Sequence, residues 1–434
     1  MSHLSKKYPS SILFALFVQY TFAQEAVPVF KTASDSVTYY SAQDAMRNHN
    51  PLSNKIVRMD SLWEVQQSVL KTGILGWRYA YQQDKTFTSF ESLLAKEIEP
   101  SAVTKLSIVD FGSKKLPEEL FSCTNLEELE LINTKIQKLP RHLSKLTKLN
   151  SLEMSNNRPA RALRLTRNSS VTFLRIRSNA SGRIPHNFRK FQGLDSLDLC
   201  RNFLTRFPAI HHNKNLRQLV LSENNLTLED DRIKPSETLQ TLYIRRNKIK
   251  TVPNAIGNFT ALKKLSFNYN EVTEIKDGLA NLQSLEELSL YQNKLPAIPA
   301  SIYQLRNLRV IDLYYNQIER INDPIENLQK LEVLYLANNR IHILSDKIGT
   351  LSNLRELYLH HNRVSYFPNS IGNLSNLRVL RFNDNSFVTF PEPILSLSNL
   401  ENLDMSRNRL QSVPSDFGSY HKLQPDHDRE SLGG

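Results

Sequence analysis

Residues 239–261 read LQTLYIRRNKIKTVPNAIGNFTA and residues 262–284 read LKKLSFNYNEVTEIKDGLANLQS. Laid over one another from their first leucines, both carry apolar residues at positions one, four, six and eleven and an asparagine at position nine. These are Leu239, Leu242, Ile244, Ile249 and Asn247 in one, and Leu262, Leu265, Phe267, Val272 and Asn270 in the other. A second apolar series follows, Val252, Ile256 and Phe259 against Ile275, Leu279 and Leu282. Outward from this pair the pattern L-x-x-L-x-L-x-x-N-x-L restarts at Val103, Leu126, Leu149, Val171, Leu194, Leu216, Leu239, Leu262, Leu285, Leu308, Leu331, Leu354, Leu377 and Leu400. The step is 23 residues, twice 22, over fourteen starts.

The chemistry of each position follows from that period. One unit is too small to bury its own apolar face, so the apolar positions become a core only when units stack. The L-x-L dyad alternates with period two, which predicts a short strand with its leucines inside and the intervening residues outside. Stacked dyads then form a parallel sheet, one strand per turn. The asparagine amide is suited to satisfy backbone groups of neighbouring turns that would otherwise be buried without partners. A Leu-Pro step after it presets φ and removes a donor, as a turn or the start of a short helix requires.

The motif resembles the leucine-rich-repeat family over about three quarters of the chain, in the 23-residue L-P-x-x-I form of bacterial secreted and Ras-scaffold-like members. The resemblance implies an α/β solenoid: a curved horseshoe with a parallel sheet on its concave face and short helices or 3-10 turns on its convex face. It also implies partners, usually proteins, bound by the concave sheet. Two departures predict a late start to the asparagine ladder, since position nine is Phe111 in the first repeat and Thr134 in the second. Irregular convex surface is expected at 158–164 and 230–232, where Leu-Pro is missing.

The flanks divide the chain further. Lys6 and Lys7, the apolar run from Ile12 to Val18 and the small residues around Ala23 read as a signal peptide over 1–23. Residues 24–102 are not repeats and hold Trp63 and Trp77; they are expected to form a small, mainly helical N-terminal cap. Asp60 is placed to cap a helix running to Thr72, and Thr88 with Glu91 forms a capping-box signature. The solenoid is expected over 103–423 and a polar, disordered tail over 424–434.

Composition bounds the function. The chain has 434 residues, 40% hydrophobic and 23% charged, with a formal charge of +12, a balance that favours acidic partners. Cys123 and Cys200 lie three to four turns apart, too far for a disulfide, and Cys200 at position seven is expected to be an exposed thiol. No phosphate loop, no G-x-S-x-G and no H-E-x-x-H occurs, so the chain is taken as a non-enzyme without a cofactor. Of the five Asn-x-Ser/Thr sequons, Asn179 sits at the ladder position and is expected to stay unmodified.

In the family, positions five, seven and eight face the concave surface. Here they supply Tyr243, Arg245, Arg246, Tyr269, Tyr291, Tyr314, Tyr315, Tyr335, Tyr358, His360, His361 and Arg381. Tyrosine gives large contact area at small entropic cost, which makes this run the leading ligand-binding surface. The bland alternative is that tyrosine is a good strand former that stacks across strands. On the binding view, alanine at Tyr291, Tyr314, Tyr335 and Tyr358 leaves the fold intact and removes the partner. A second candidate, for anions, is Arg158, Arg161, Arg164, Arg167, Arg175 and Arg177; nucleic acid is not expected for an exported chain. His360, His361 and Asp384 are close enough to raise a metal site, but zinc wants more convergent ligands, and none is assigned. The sequence thus points to a secreted or envelope-associated protein that binds a protein or a glycan, with no transmembrane segment. The alternatives are an enzymatic or accessory activity within 24–102, or an intracellular scaffold.

Overall fold

The computed structural model describes residues 87–414 except 137, 158–164, 166, 180–187 and 230–232, and also the strands Val27–Val29 and Thr38–Tyr40. The chain falls into two compact units, Met1–Thr86 and Phe87–Gly434. Within the first, the two strands pair antiparallel, Val27 opposite Tyr40. Most of the mainly helical cap expected over 24–102 lies outside the described residues; the second unit opens with the strand Thr88–Ser89 and the five-residue helix Phe90–Leu94. The signal peptide, Trp63, Trp77, the Asp60 helix and the tail 424–434 lie outside the described residues.

The second unit carries one parallel sheet of fifteen strands in sequence order. Fourteen are the predicted L-x-L dyads in the predicted register, Leu242 beside Leu265 and Leu265 beside Leu288. The fifteenth is Thr88–Ser89, one turn before the first repeat, paired with Leu106 and Ser107. The helix Phe90–Leu94 follows it, with Ser89 rather than Thr88 as N-cap; the Ser89 hydroxyl accepts from the Ser92 amide at 3.1 Å. Its Phe90 and Leu93 are buried, and Phe90 meets Phe111 edge to face at 5.6 Å. The phenylalanine in the first repeat's asparagine position is thus an apolar contact for the turn before it.

The apolar positions form one continuous core from Phe90 to Leu400. Opposite the sheet, short 3-10 helices stack turn on turn. Proline sets their starts: Pro117, Pro140, Pro253 and Pro368 are each the extended N-cap residue just before a 3-10 helix. The ladder begins at Asn157, as expected. Thr134 contributes no amide and instead donates its own hydroxyl to Asn157 Oδ1 at 2.7 Å. Asn179 is 4% exposed and donates to the Met154 carbonyl at 3.0 Å, as its ladder position required. The irregular segments 158–164 and 230–232 fall outside the described residues.

Candidate functional site

Strand alternation places the candidate residues, and turn stacking aligns them. Position five runs in register through Ser266, Ser289, Asp312, Tyr335, Tyr358 and Arg381. Position eight has a property that alternation does not predict. In all fourteen repeats its residue has positive φ, between 50° and 60°, from Asp110 through Arg246, Tyr269, Tyr315 and His361 to Arg407. This left-handed residue turns the chain out of the strand. Its N–H is satisfied by the next turn, as when Tyr269 donates to the Tyr291 carbonyl at 2.9 Å.

The tyrosines pack on one another. Tyr269 meets Tyr291 edge to face at 5.1 Å, and Tyr291 stacks on Tyr314 at 5.7 Å with 8° between the planes. Tyr315 stands edge-on to both. Tyr335 stacks on Tyr358 at 4.8 Å and 23°. Ala337 leaves a gap at position seven, across which Tyr314 Oη reaches His360 Nε2 at 3.0 Å. Beneath this strip lies a polar string: Ser289 Oγ sits 2.6 Å from Asn268 Oδ1 and 2.7 Å from Asp312 Oδ2. The same side chains accept the backbone N–H groups of Tyr291 and Tyr314, each at 3.2 Å. Sequence patterning did not single out Ser289 or Asp312; their only signal was a small or acidic residue amid aromatic neighbours.

This packing corrects one expectation. Tyr291 is 1% exposed, Tyr335 5% and Tyr314 8%, so these three are buried and are not open contact residues. Rings on strands about 4.8 Å apart cover each other whichever way the strand points them. Burial, then the neighbouring tyrosines, push the Tyr291 and Tyr335 hydroxyls far above the ordinary range, so both remain neutral. Tyr243, Tyr269, Tyr315, Tyr358, His360 and Arg381 are half-buried, while Arg246 and His361 are exposed. At the N-terminal end of the strip, the Arg245 guanidinium lies over the Tyr243 ring at 4.8 Å and that of Arg246 over Tyr269 at 4.2 Å.

The arginine candidate is not gathered into one site by the described residues. Arg158, Arg161 and Arg164 lie outside them. Arg177 forks onto Asp198 (Nε to Oδ2 2.7 Å), Arg175 faces Glu153 at 3.8 Å, and Arg167 meets Gln192 at 3.4 Å. Arg175 and Arg177 therefore already sit against carboxylates. Cys200 is not the exposed thiol expected: it is half-buried, and desolvation, then Glu223 and Asp198, raise its pKa to about 12. His361 Nδ1 is 3.6 Å from Asp384, which also meets Arg407 at 3.4 Å. Among the described residues no three metal-binding side chains converge. No helix among them is long and apolar enough to cross a membrane.

A parallel solenoid with one short strand per turn, an asparagine ladder and 3-10 helices opposite the sheet defines a class. Family models match it directly: a leucine-rich repeat region over 176–320, paired leucine-rich repeats over 306–349 and 329–375, and a single leucine-rich repeat over 399–420. The chain is a leucine-rich-repeat protein. No curated protein matches it. Among solved structures, a leucine-rich-repeat protein of Leptospira interrogans is 26% identical, with 78% of this chain and 100% of that one covered and a TM-score of 0.51. Toll in the Drosophila Toll–Spatzle complex is 23% identical over 71% of this chain and 44% of that one, with a TM-score of 0.63. A plant peptide hormone receptor, solved in complex with RGF2, is 21% identical over 74% and 61%, with a TM-score of 0.52.

Proposed function

We propose that this chain is a recognition protein, exported by the segment 1–23 and without catalysis of its own, that holds a protein ligand against the sheet face of repeats seven to thirteen. The observation that carries this is the tyrosine strip packed in register, which leaves Tyr243, Tyr269, Tyr315 and Tyr358 partly accessible and sets arginines at its end. Interfaces are enriched in tyrosine, which offers much contact for little lost freedom, and in arginine, whose planar guanidinium serves both ion pairs and aromatic faces. Fold neighbours solved in complexes with Spatzle and with RGF2 support a protein as the ligand.

The test uses residues the packing leaves accessible, since replacing buried Tyr291 by alanine is expected to cost about 3–5 kcal/mol of stability and would confound it. Mature protein, wild type beside a Tyr269→Ala, Tyr315→Ala, Tyr358→Ala, His361→Ala variant, is used to capture partners from surface extracts. The variant is expected to keep its circular dichroism and lose the partner. A partner held equally by both removes the sheet face from the proposal. Export is tested by N-terminal sequencing of the native protein, expected to begin at Gln24; an intact Met1 in cytosol would favour the intracellular scaffold.

A further inference from the structure

We infer that the side of repeats two to five opposite the sheet binds an acidic polysaccharide, a linear chain of carboxylated or sulfated sugars, along a file of cations. The file shares no residue with the sheet face, so neither reading falls with the other.

Register makes the file. Asn168 bridges Phe191 in parallel, the Ser170 hydroxyl donates to the Leu146 carbonyl at 3.4 Å, and the Asn213 side-chain amide donates to the Phe191 carbonyl at 3.0 Å. Leu146, Asn168, Phe191 and Asn213 are thus aligned across four turns, and the residues just before them are Lys145, Arg167, Lys190 and His212. Arg189 and Lys214 flank the file. Lys190 is half-buried and the others are exposed. Lys190 Nζ donates to the Leu165 carbonyl at 2.9 Å and Arg167 to Gln192 Oε1 at 3.4 Å, so both rest on neutral groups and their charge stays uncompensated. The carboxylates of Glu153, Asp195, Asp198 and Glu223 pair with Arg175, Arg217, Arg177 and Arg201 instead. At the fifth turn, desolvation, then His212, Lys234 and Lys214, lowers the pKa of His211, which reflects the cations gathered there.

The fold does not ask for this charge. Lys145 and Lys190 end the 3-10 helices Arg141–Lys145 and Phe188–Lys190, where a cation suits the helix dipole. In repeats seven to thirteen the same place holds asparagine, glutamine, threonine or serine, from Asn258 to Ser396, and the helices form without it. Residues 131–194 hold fourteen lysines and arginines and one acid, Glu153, which lies on a strand. The acids Glu118 and Glu119 stand in the helix of the first turn, just outside the file.

Arrangement and surroundings select the ligand. About one cation per turn, at about 4.8 Å a turn, makes a row rather than a plane. A row fits a polymer that carries anions at short, regular intervals. A bilayer surface would also reward apolar side chains that dip into it. The large hydrophobic side chains that the described residues expose, Leu94, Phe173, Phe203, Tyr366, Val388 and Val413, belong to none of these 3-10 turns.

The probe is fluorescein-labelled heparin, read by anisotropy against the mature protein. We expect saturable binding that polygalacturonate displaces and dextran does not. Affinity should fall about tenfold or more between about 50 and 300 mM NaCl, as contact with a polyanion requires. A Lys145→Gln, Arg167→Gln, Arg189→Gln, Lys214→Gln variant spares the Lys190 contact between turns. It should keep its thermal midpoint and lose about tenfold or more in affinity. The control removes equal charge from exposed residues on another side, by Lys248→Gln, Arg340→Gln, Arg363→Gln and Arg409→Gln. It should lose less than about threefold, since distant charges are screened. Equal losses would make binding an effect of the net charge of +12 and overturn the inference. So would absent binding, displacement by dextran, an oligothymidylate that displaces heparin better than polygalacturonate at equal charge, or sedimentation with phosphatidylglycerol vesicles that heparin does not reverse. Should the fourfold variant melt early, Lys145→Gln with Lys214→Gln decides in its place: a loss of about threefold supports the inference and an unchanged affinity overturns it.

Discussion

Asn270 illustrates how one side chain holds two turns together. Its Nδ2 donates to the Ile244 carbonyl of the preceding turn at 2.9 Å and to the Phe267 carbonyl of its own at 2.8 Å, while Oδ1 accepts the Ile249 N–H at 3.1 Å. The residue is 8% exposed, so no solvent replaces those bonds when it is cut back. Asn270→Ala leaves buried backbone groups unpaired and is expected to remove about 3 kcal/mol, read as a lower urea midpoint. Asn376 makes one comparable bond, to the Ser352 carbonyl at 2.8 Å, but from the exposed side, and Asn376→Ala should lose less than about 1 kcal/mol. Equal losses would mean that burial is not what gives the ladder its weight. Position eight is the other residue-scale constraint. Its fourteen occupants include no valine, isoleucine or threonine, although Val109 and Ile132 stand at position seven just before it. Positive φ excludes β-branched side chains, so the left-handed turn was written in the sequence as an absence rather than as a motif.

At the scale of elements, the side opposite the sheet is set by how closely 3-10 helices approach. A Cβ on Gly278 would stand 2.2 Å from the Asn254 carbonyl oxygen, and one on Gly257 2.1 Å from that of Gly278. The helices Asn254–Asn258 and Asp277–Asn281 can lie this close only because both positions lack a side chain. Gly278→Ala must push the two turns apart and is expected to cost about 1–3 kcal/mol, seen as a lower thermal midpoint. Gly112→Ala, with nothing within 4 Å, is the control and should change the midpoint little. An unchanged midpoint for Gly278→Ala would show that the stack has slack. The strands and their register were legible because a period repeated fourteen times leaves no competing alignment. The cap of Phe90–Leu94 was legible only to within a residue, since Thr88 and Ser89 are both fit to cap and the backbone chooses between them. The exposure of the tyrosines was not legible. Alternation states which way a side chain points, whereas its burial depends on the ring one strand over and on a gap such as Ala337, which lets Tyr314 and His360 meet.

At the scale of the whole second unit, stability is a sum of turns and of the contacts between neighbours, so an end turn keeps only half its contacts. Among the described residues, the first and last turns are not alike. At the N-terminal end, Phe90 and Leu93 cover the first repeat, whose Leu106 and Ile108 are 0% exposed. In the last described turn, Leu403, Met405 and Leu410 are only half-buried, whereas their counterparts one turn earlier, Leu380, Phe382 and Phe387, are 0% exposed. Backbone bonding alone would not separate these turns: the Arg409 N–H donates to the Phe387 carbonyl at 2.8 Å, as the Ser386 N–H does to that of Val364, also at 2.8 Å. What differs is the apolar contact that must be lost for a turn to open. Native-state hydrogen exchange should therefore show amides of 402–409 at least about tenfold less protected than those of 356–363, with protection rising inward turn by turn. Equal protection along the array would mean that the solenoid opens as one block, with coupling between turns stronger than the difference in apolar cover. A graded profile would instead place the tyrosine strip in a more protected stretch than the last described turn, where a rigid binding surface has to be.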